Sequence, residues 1–445
     1  MKKTILLVLL TFAIFTNAQE NTSKSYSFSL QQAIEHALQN NYSAINSGRD
    51  IDAAKKKKWE TIASGLPQIS AGVDYQNNFE LQRSLIPAEF LGGNPGEFVE
   101  VAFGTKHTMN TSARLNQLLF DGSYIVALQA SKTYIQFYEN AKKKTDTEIR
   151  EMIINSYGSV LLAEESILIF EKNKSILEKT LFDTNETYKN GLIEEENVEQ
   201  LKITLSNVNS NLNYTKRLKD IAYKMLKINM GIEIEDQVVL TDKLDNLSTS
   251  NFDLALVDSE FSVQNNINYN IMTNFVEQRT LELKLQKSKA LPSLSANVNF
   301  GYNAFGNQFE FFTQNQKWFN YSNLGVSLYV PIFSSFGRSA RTQQAKIALE
   351  QAKTQLIETE QKLKLQYQNA KSDYEFSIEQ YLSAKENLAL AERIEKKQQI
   401  KFKEGLSSSF DFTDAQRQLY AAQQDYLKSM SGVISKKAAL EKVIN

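Results

Sequence analysis

The chain has 445 residues and balances 50 Lys and Arg against 51 Asp and Glu, so no basic excess points to a nucleic-acid partner and we expect none. It contains no Cys and only two His, which excludes disulfides and thiolate metal sites, and we expect no catalytic residues, no cofactor and no metal site. A mean hydropathy of −0.39 excludes a bundle of transmembrane helices, whereas 42% hydrophobic residues suffice for a large core.

The N-terminus has the features of an export signal. Lys2 and Lys3 precede an apolar run over 5–15, and small residues follow it up to Ala18. A membrane anchor is the alternative, but eleven apolar residues are too few to span a bilayer. We therefore predict a signal peptide over 1–18 and an exported protein.

Glycine and proline are scarce. The chain has 17 Gly and 5 Pro, against about 53 expected from average usage. Most of them fall in two windows, 65–122 and 291–337. Because these residues interrupt helices, the rest of the chain is predicted to form long helices.

The two windows belong to an internal repeat. Pro67 and Pro292 stand in similar surroundings 225 positions apart, and the same offset relates Asn41 to Asn266. We predict a duplicated unit, with a first repeat over 19–245 and a second over 246–445.

Each window predicts two strands with a period of two. Val298 and Phe300, for example, alternate with Asn297 and Asn299. The four predicted strands lie at about 67–80, 108–119, 292–302 and 322–331. A soluble half-buried hairpin shows the same alternation as a membrane barrel around a wet lumen. The signal peptide and the aromatic-rich loops between the strands favour the barrel.

Each repeat also predicts one long helix and two shorter ones. The long helices lie at about 123–190 and 339–404, and the apolar positions of the first recur at steps of three and four, as in a coiled coil. The shorter ones are predicted near 30–62 and 258–290, with return helices at about 192–230 and 406–440. The fold class is therefore mainly α, with long antiparallel coiled coils and a transmembrane β-barrel part. A plain fibrous coiled coil has no use for four amphipathic strands.

Four strands cannot close a barrel, and open sheet edges do not survive in lipid. Two chains would give eight strands, and three would give twelve, enough for a channel. The chain is therefore predicted to oligomerise.

The duplicated order of three signatures resembles the TolC-type outer-membrane efflux protein family over essentially the whole mature chain. These signatures are SGLPQIS and ALPSLS at 64–70 and 290–295, LLFDG and IFSSFG at 118–122 and 332–337, and a Gly-Leu pair in each later turn. The resemblance implies a homotrimer with a twelve-stranded barrel in the outer membrane of a Gram-negative bacterium and its helical part in the periplasm. It implies a passive, non-enzymatic duct that works with a periplasmic adaptor (membrane fusion) protein and an inner-membrane pump or ABC transporter. A type I protein-secretion duct of the same fold and a secreted structural coiled-coil adhesin or adaptor stay open as alternatives.

The resemblance also implies a channel gate. Asp411 and Asp414 follow Gly405 at the spacing of the family's periplasmic aspartate ring, where carboxylates from three chains would attract cations and raise some of their own pKa values. Aspartates in a first helical turn also serve as ordinary helix caps. Asn197 and Ser407 depart from the charged residues that family members often carry, so the gate is expected to be locked differently.

The two Gly-Leu turns, at Gly191 and Leu192 and at Gly405 and Leu406, are the candidate contact points for the adaptor. A glycine cap between antiparallel helices is their ordinary structural interpretation.

Overall fold

The computed structural model describes residues 24–444 apart from 251, 253–255 and 257–259. The predicted signal peptide over 1–18 lies outside the described residues.

Long helices dominate the described chain, which confirms the predicted fold class. In chain order the helices are α1 (Leu30–Asn40), α2 (Tyr42–Ala63), α3 (Gly122–Lys189), α4 (Glu195–Met230), α5 (Leu244–Ser250), α6 (Ile267–Ser288), α7 (Gly337–Lys403) and α8 (Ser409–Ile444). The 68 residues of α3 correspond to about 100 Å of helix. Its predicted apolar positions Ile149, Ile153, Tyr157 and Val160 are all buried, as a coiled-coil seam requires. One 18-residue window of α3 is as apolar as a membrane helix, but 56% of that window is buried inside the protein, as in a core helix.

The strands form one large sheet and two small ones. They are β1 (Ser25–Phe28), β2 (Gln68–Asn77), β3 (Arg83–Pro87), β4 (Phe98–Ala102), β5 (His107–Asp121), β6 (Gln237–Leu240), β7 (Ser293–Gly306) and β8 (Trp318–Tyr329). The large sheet is antiparallel in the order β2-β5-β7-β8, so the two strands of the first predicted repeat lie beside the two strands of the second in one continuous sheet. The two small sheets, β3 with β4 and β1 with β6, were not predicted.

The large sheet has one apolar and one polar face. One register row across the four strands consists of Ile69, Leu115, Val298 and Leu324. Ile69 is 76% exposed and Leu324 is 72% exposed, so the apolar side chains of this face lack partners within the chain. A broad exposed apolar face of this kind marks contact with lipid or with another protein.

The chain forms two compact units, and each draws on both predicted repeats. One unit comprises the large sheet with residues 49–140 and 271–358. The other comprises the described residues of 1–48, 141–270 and 359–445. The core of this second unit gathers apolar side chains from distant parts of the chain: Ile34, Tyr157, Leu226, Tyr374 and Val433.

A hydrogen-bonded tyrosine ties the small parallel sheet of β1 and β6 to that core. The buried Tyr157 donates its hydroxyl to the carbonyl of Phe28 at 3.0 Å and to a carboxylate oxygen of Asp242 at 2.9 Å. Phe28 ends β1, and Asp242 lies two residues after the end of β6. The hydroxyl therefore fixes the sheet on α3 without leaving a buried polar atom unpaired.

The structure corrects four predicted helix boundaries. The helix predicted near 30–62 is broken at Asn41, whose backbone is extended at φ −61° and ψ 136°. The helix predicted from about 258 begins at Ile267, after an equally extended Asn266. The two return helices begin at Glu195 and Ser409, three residues later than predicted, because the preceding residues complete the turn.

Candidate functional site

Each long helix ends in the same glycine turn. Gly191 and Gly405 have positive φ values of 71° and 70°, which favour glycine. In each turn the glycine N–H and the following leucine N–H donate back to the last turn of the helix, at 2.8 and 3.2 Å after α3 and at 3.1 and 2.8 Å after α7. These paired bonds make a Schellman motif and satisfy carbonyls that the helix end would otherwise leave free.

The leucines of the two turns face solvent. Leu192 is 75% exposed and Leu406 is 77% exposed. The glycines thus have a backbone role, as the ordinary interpretation expects. The leucine side chains, in contrast, contribute little to packing within the described chain. Equivalent exposed leucines on the two turns are available to a partner.

Asp411 is held by the N-terminal cap of α8. Its backbone N–H donates to Ser408 Oγ at 3.1 Å, and its Oδ2 accepts the Ser408 backbone N–H at 3.3 Å and hydroxyl at 2.7 Å. This reciprocal pair is a capping box with aspartate in place of the usual glutamate. The hydrogen bonds from Ser408 lower the pKa of Asp411, so within one chain this carboxylate stays ionised more readily than an ordinary aspartate. The predicted rise in pKa concerns repulsion between carboxylates of three chains, and it stays a prediction.

Asp414 has different partners from Asp411. One of its carboxylate oxygens accepts from the guanidinium of Arg417, and the other accepts from Gln418 Nε2 at 2.7 Å. Its side chain is 31% exposed, while that of Arg417 is 79% exposed. Asp411 therefore bonds back towards the turn and Asp414 bonds forward along α8. Of the two aspartates, Asp411 is the one with no cationic hydrogen-bond partner among the described residues.

The side chains at the two positions that depart from the family pattern make neutral hydrogen bonds. Asn197 Oδ1 accepts the backbone N–H of Ser409 at 3.3 Å, which joins the start of α4 to the start of α8. Ser407 donates to Gln398 Oε1 at 3.2 Å and lies 3.4 Å from Asp411 Oδ2. Within one chain, an amide therefore joins the two turns, and a hydroxyl bonds within the second turn.

A buried polar cluster beyond the turn was not predicted. Gln416 is 1% exposed, hydrogen-bonds to Glu395 of α7, and has no partner for its Oε1 among the described residues. Burial raises the pKa of Glu395, and burial together with the Glu395 charge raises the pKa of Tyr420. The sequence carries a signal for the cluster, because Gln416 stands between Phe412 and Leu419 in the apolar seam of α8.

Next to this cluster, α3, α4 and α8 enclose a groove of about 450 Å³. Apolar and polar side chains share its lining: Phe170, Ile203, Val208, Phe410, Arg417 and Gln424. Ile203 is 58% exposed and Phe410 is 68% exposed. An amphipathic groove between helices suits an amphipathic helix from a partner.

No group of His, Cys, Asp or Glu among the described residues is arranged to hold a metal ion. The turns therefore present the ionised carboxylate of Asp411, the ion pair of Asp414 with Arg417 and the exposed leucines. Such groups can contact a partner protein or attract ions.

Residues 275–445 match the family model of the outer membrane efflux protein. No curated protein sequence matches the chain. Among solved structures, the fold is similar to the CmeC outer membrane channel of Campylobacter jejuni, with a TM-score of 0.70, 16% identity and coverage of 93% of this chain and 85% of that one.

Two further structures have the same fold. The outer membrane protein VceC of Vibrio cholerae gives a TM-score of 0.69 at 15% identity, with coverage of 93% of this chain and 95% of that one. The MtrE outer membrane channel of Neisseria gonorrhoeae, in its open state, gives 0.70 at 15% identity, with coverage of 93% and 88%. The chain is thus similar to the outer membrane efflux protein family over residues 275–445, and over most of its length it has the fold of outer membrane channels.

Proposed function

We propose that the protein is the outer-membrane duct of a tripartite export system and works as a homotrimer. The four-stranded sheet is the main observation that supports this proposal. Its edge strands β2 and β8 have no partner on their outer sides within the described chain, and its apolar face is exposed. Pairing of β2 with β8 of the next copy would satisfy both edges, and three copies would give twelve strands around a polar lumen.

The helical turns supply the proposed contact with a periplasmic adaptor. Leu192 and Leu406 are exposed on equivalent turns, and the groove between α3, α4 and α8 has the mixed lining that an amphipathic helix fits. An inner-membrane pump or ABC transporter would supply the energy, since the chain is a passive duct.

The proposed gate consists of Asp411 and Asp414. Asp411 is exposed at the first turn of α8, and its pKa is lowered, so it stays charged at neutral pH. Three copies around a threefold axis would bring equivalent carboxylates together at one level, and a ring of carboxylates attracts cations. The bonds from Ser408 and Arg417 hold these side chains in fixed positions before the ring forms.

The decisive experiment uses the purified full-length protein in detergent and in planar bilayers. We expect the mass of a trimer by light scattering and discrete conductance steps after insertion. A monomer that stays soluble without detergent would instead indicate a secreted structural coiled-coil protein.

The gate is tested in the same bilayers. Replacing Asp411 and Asp414 by Ala is expected to weaken the block of current by Mg²⁺ and to change the conductance, because the cation-attracting charges are removed. A matched Asp220→Ala variant alters an exposed aspartate in the middle of α4 and should behave like the wild type. Identical traces from all three proteins would rule out the gate.

The adaptor contact is tested by replacing Leu192 and Leu406 with Ser. We expect the double variant to assemble and conduct normally but to lose co-purification with its adaptor from cells. Retained co-purification would exclude the tips as contact points.

A further inference from the structure

The polar face of the large sheet is almost without charge. Its side chains are mainly those of Ser, Thr and Asn, and the only charged residues on this face of the four strands are Asp74, Arg114 and Asp121. Asp121 ends β5, and its carboxylate accepts hydrogen bonds from Ser123 and Tyr124 at the start of α3. Arg114 is therefore the single cation of this face.

Arg114 is held in place by a row of amides. The register aligns it with Ser70 on one side and with Asn299 and Asn323 on the other. Arg114 Nε donates to Asn299 Oδ1 at 2.7 Å, and Asn299 Nδ2 donates to Asn323 Oδ1 at 2.8 Å. The two amides orient the guanidinium through one of its five N–H donors and leave the terminal nitrogens for other acceptors.

The charge of Arg114 is not neutralised locally. No described residue forms an ion pair with it. Asp74 lies in the register row of Asn110, four residues along β5 from Arg114, which corresponds to about 13 Å. That separation exceeds the Debye length of about 8–10 Å at ordinary ionic strength, so Asp74 screens Arg114 only weakly.

A polar cavity of about 440 Å³ adjoins the guanidinium. Its lining includes Gln68, Asn116, Gln117, Asn297 and Asn299, all neutral hydrogen-bonding side chains. Cavities of this size hold small molecules in many proteins. With one fixed cation and no carboxylate in its lining, the cavity suits an oxyanion, since an arginine fork binds carboxylate and phosphate in bidentate fashion.

We propose that Arg114, oriented by Asn299 and Asn323, is an oxyanion-binding site in the lumen that favours the passage of carboxylate- or phosphate-bearing solutes. The inference rests on the proposed trimer, which repeats the site three times at one level of the barrel. A ring of arginines raises the local concentration of anions, as in anion-selective pores. The expected cargo class is therefore anionic, whereas the proposed aspartate gate attracts cations.

The test measures the chloride-to-potassium permeability ratio of single channels of the full chain in a KCl gradient. Arg114→Gln is expected to lower the ratio roughly two-fold or more, because one charge per protomer is removed from the lumen. Arg114→Lys keeps the charge, so its permeability ratio should match that of the wild type. Lys106→Gln, which removes an exposed cation from the loop just before β5, should leave the ratio unchanged.

A second measurement adds inorganic phosphate, or succinate in a parallel series, on the barrel side of the bilayer. We expect either anion to reduce the KCl current of the wild type and of Lys106→Gln, but not of Arg114→Gln. Three results would each overturn the site. The first is a permeability ratio that Arg114→Gln leaves unaltered, and the second is a ratio of Arg114→Lys that falls below that of the wild type. The third is a block by phosphate or succinate that persists in Arg114→Gln. A wild-type protein that conducts no current at all would overturn the channel itself, which separates the two failures.

Discussion

Asn41 and Asn266 make the same pair of hydrogen bonds in the two halves of the chain. Each donates from Nδ2 to a carbonyl in the last turn of a return helix or next to it, at 2.7 Å to Asn229 and at 2.7 Å to Val443. Each also accepts at Oδ1 the backbone N–H two residues further on, at 2.8 Å from Ser43 and from Asn268. The predicted offset of 225 positions between them thus corresponds to one structural role, in which a buried amide starts a helix and ties it to the end of another.

We expect Asn41→Ala and Asn266→Ala each to lower the free energy of unfolding by about 1–3 kcal/mol, because a buried carbonyl and a helix N–H lose their partner. Urea titration followed by circular dichroism measures the change. Asn213→Ala, at an exposed position on α4, is the matched control and should have little effect. Equal midpoints for all three variants and the wild type would show that the two amides do not stabilise the fold.

Gly231 should not tolerate a side chain. It caps α4 at a φ of 73°, and a Cβ added there would clash with the carbonyl oxygen of Asn40. Gly231→Ala is therefore expected to lower the unfolding free energy by more than about 1 kcal/mol. Gly48→Ala, on α2 with nothing within 4 Å of the new Cβ, should be neutral or stabilising by up to about 1 kcal/mol. Thermal melting of both variants gives the comparison, and similar melting temperatures would contradict the predicted clash.

The cap of α8 should respond to acid. Because Ser408 lowers the pKa of Asp411 in the folded chain, the ionised carboxylate stabilises the fold above its ordinary pKa of about 4. This contribution is lost as the pH falls through the lower pKa of the folded state. We expect the melting temperature of Asp411→Asn to be below that of the wild type at neutral pH and to converge with it in acid. Asp220→Asn should run parallel to the wild type throughout, and a constant gap for Asp411→Asn would contradict the cap.

Glu395 should show the opposite dependence. Burial raises the pKa of Glu395 in the folded chain. Below the ordinary pKa of a glutamate the side chain is protonated in both the folded and the unfolded state, so it does not destabilise the fold. The fold loses stability as the pH rises through the higher pKa of the folded state. Glu395→Gln is therefore expected to raise the melting temperature at neutral pH, with a gain that disappears near pH 4 and below. Its new amide could also donate to the unpaired Gln416 Oε1.

Glu392→Gln changes an exposed glutamate on the same helix and is the control for Glu395→Gln. It should leave the melting temperature unchanged at every pH. A neutral-pH gain that is the same for both variants would mean that helix propensity, rather than burial of a charge, causes it.

Many elements followed from residue pattern because their causes are local. The glycine turns at Gly191 and Gly405 require positive φ, which the sequence reveals directly. The alternation of Val298 with Asn297 and Asn299 reflects the two faces of a strand, whatever that strand pairs with. The offset between Asn41 and Asn266 was visible as well, but the break in the helix at Asn41 was not, since its cause is a carbonyl 188 positions away.

For the candidate site, too, some features followed from the residue pattern and others only from the tertiary structure. The gate candidates Asp411 and Asp414 and the contact candidates Leu192 and Leu406 came from the family resemblance and from their positions relative to Gly191 and Gly405, and their roles stay predictions. Only the tertiary structure decided that Asn197 reaches Ser409 and that Arg114 is oriented by Asn299 from another strand. Such partners are chosen by strand register and helix packing between distant segments. Those contacts depend on three-dimensional geometry, which local residue pattern does not encode.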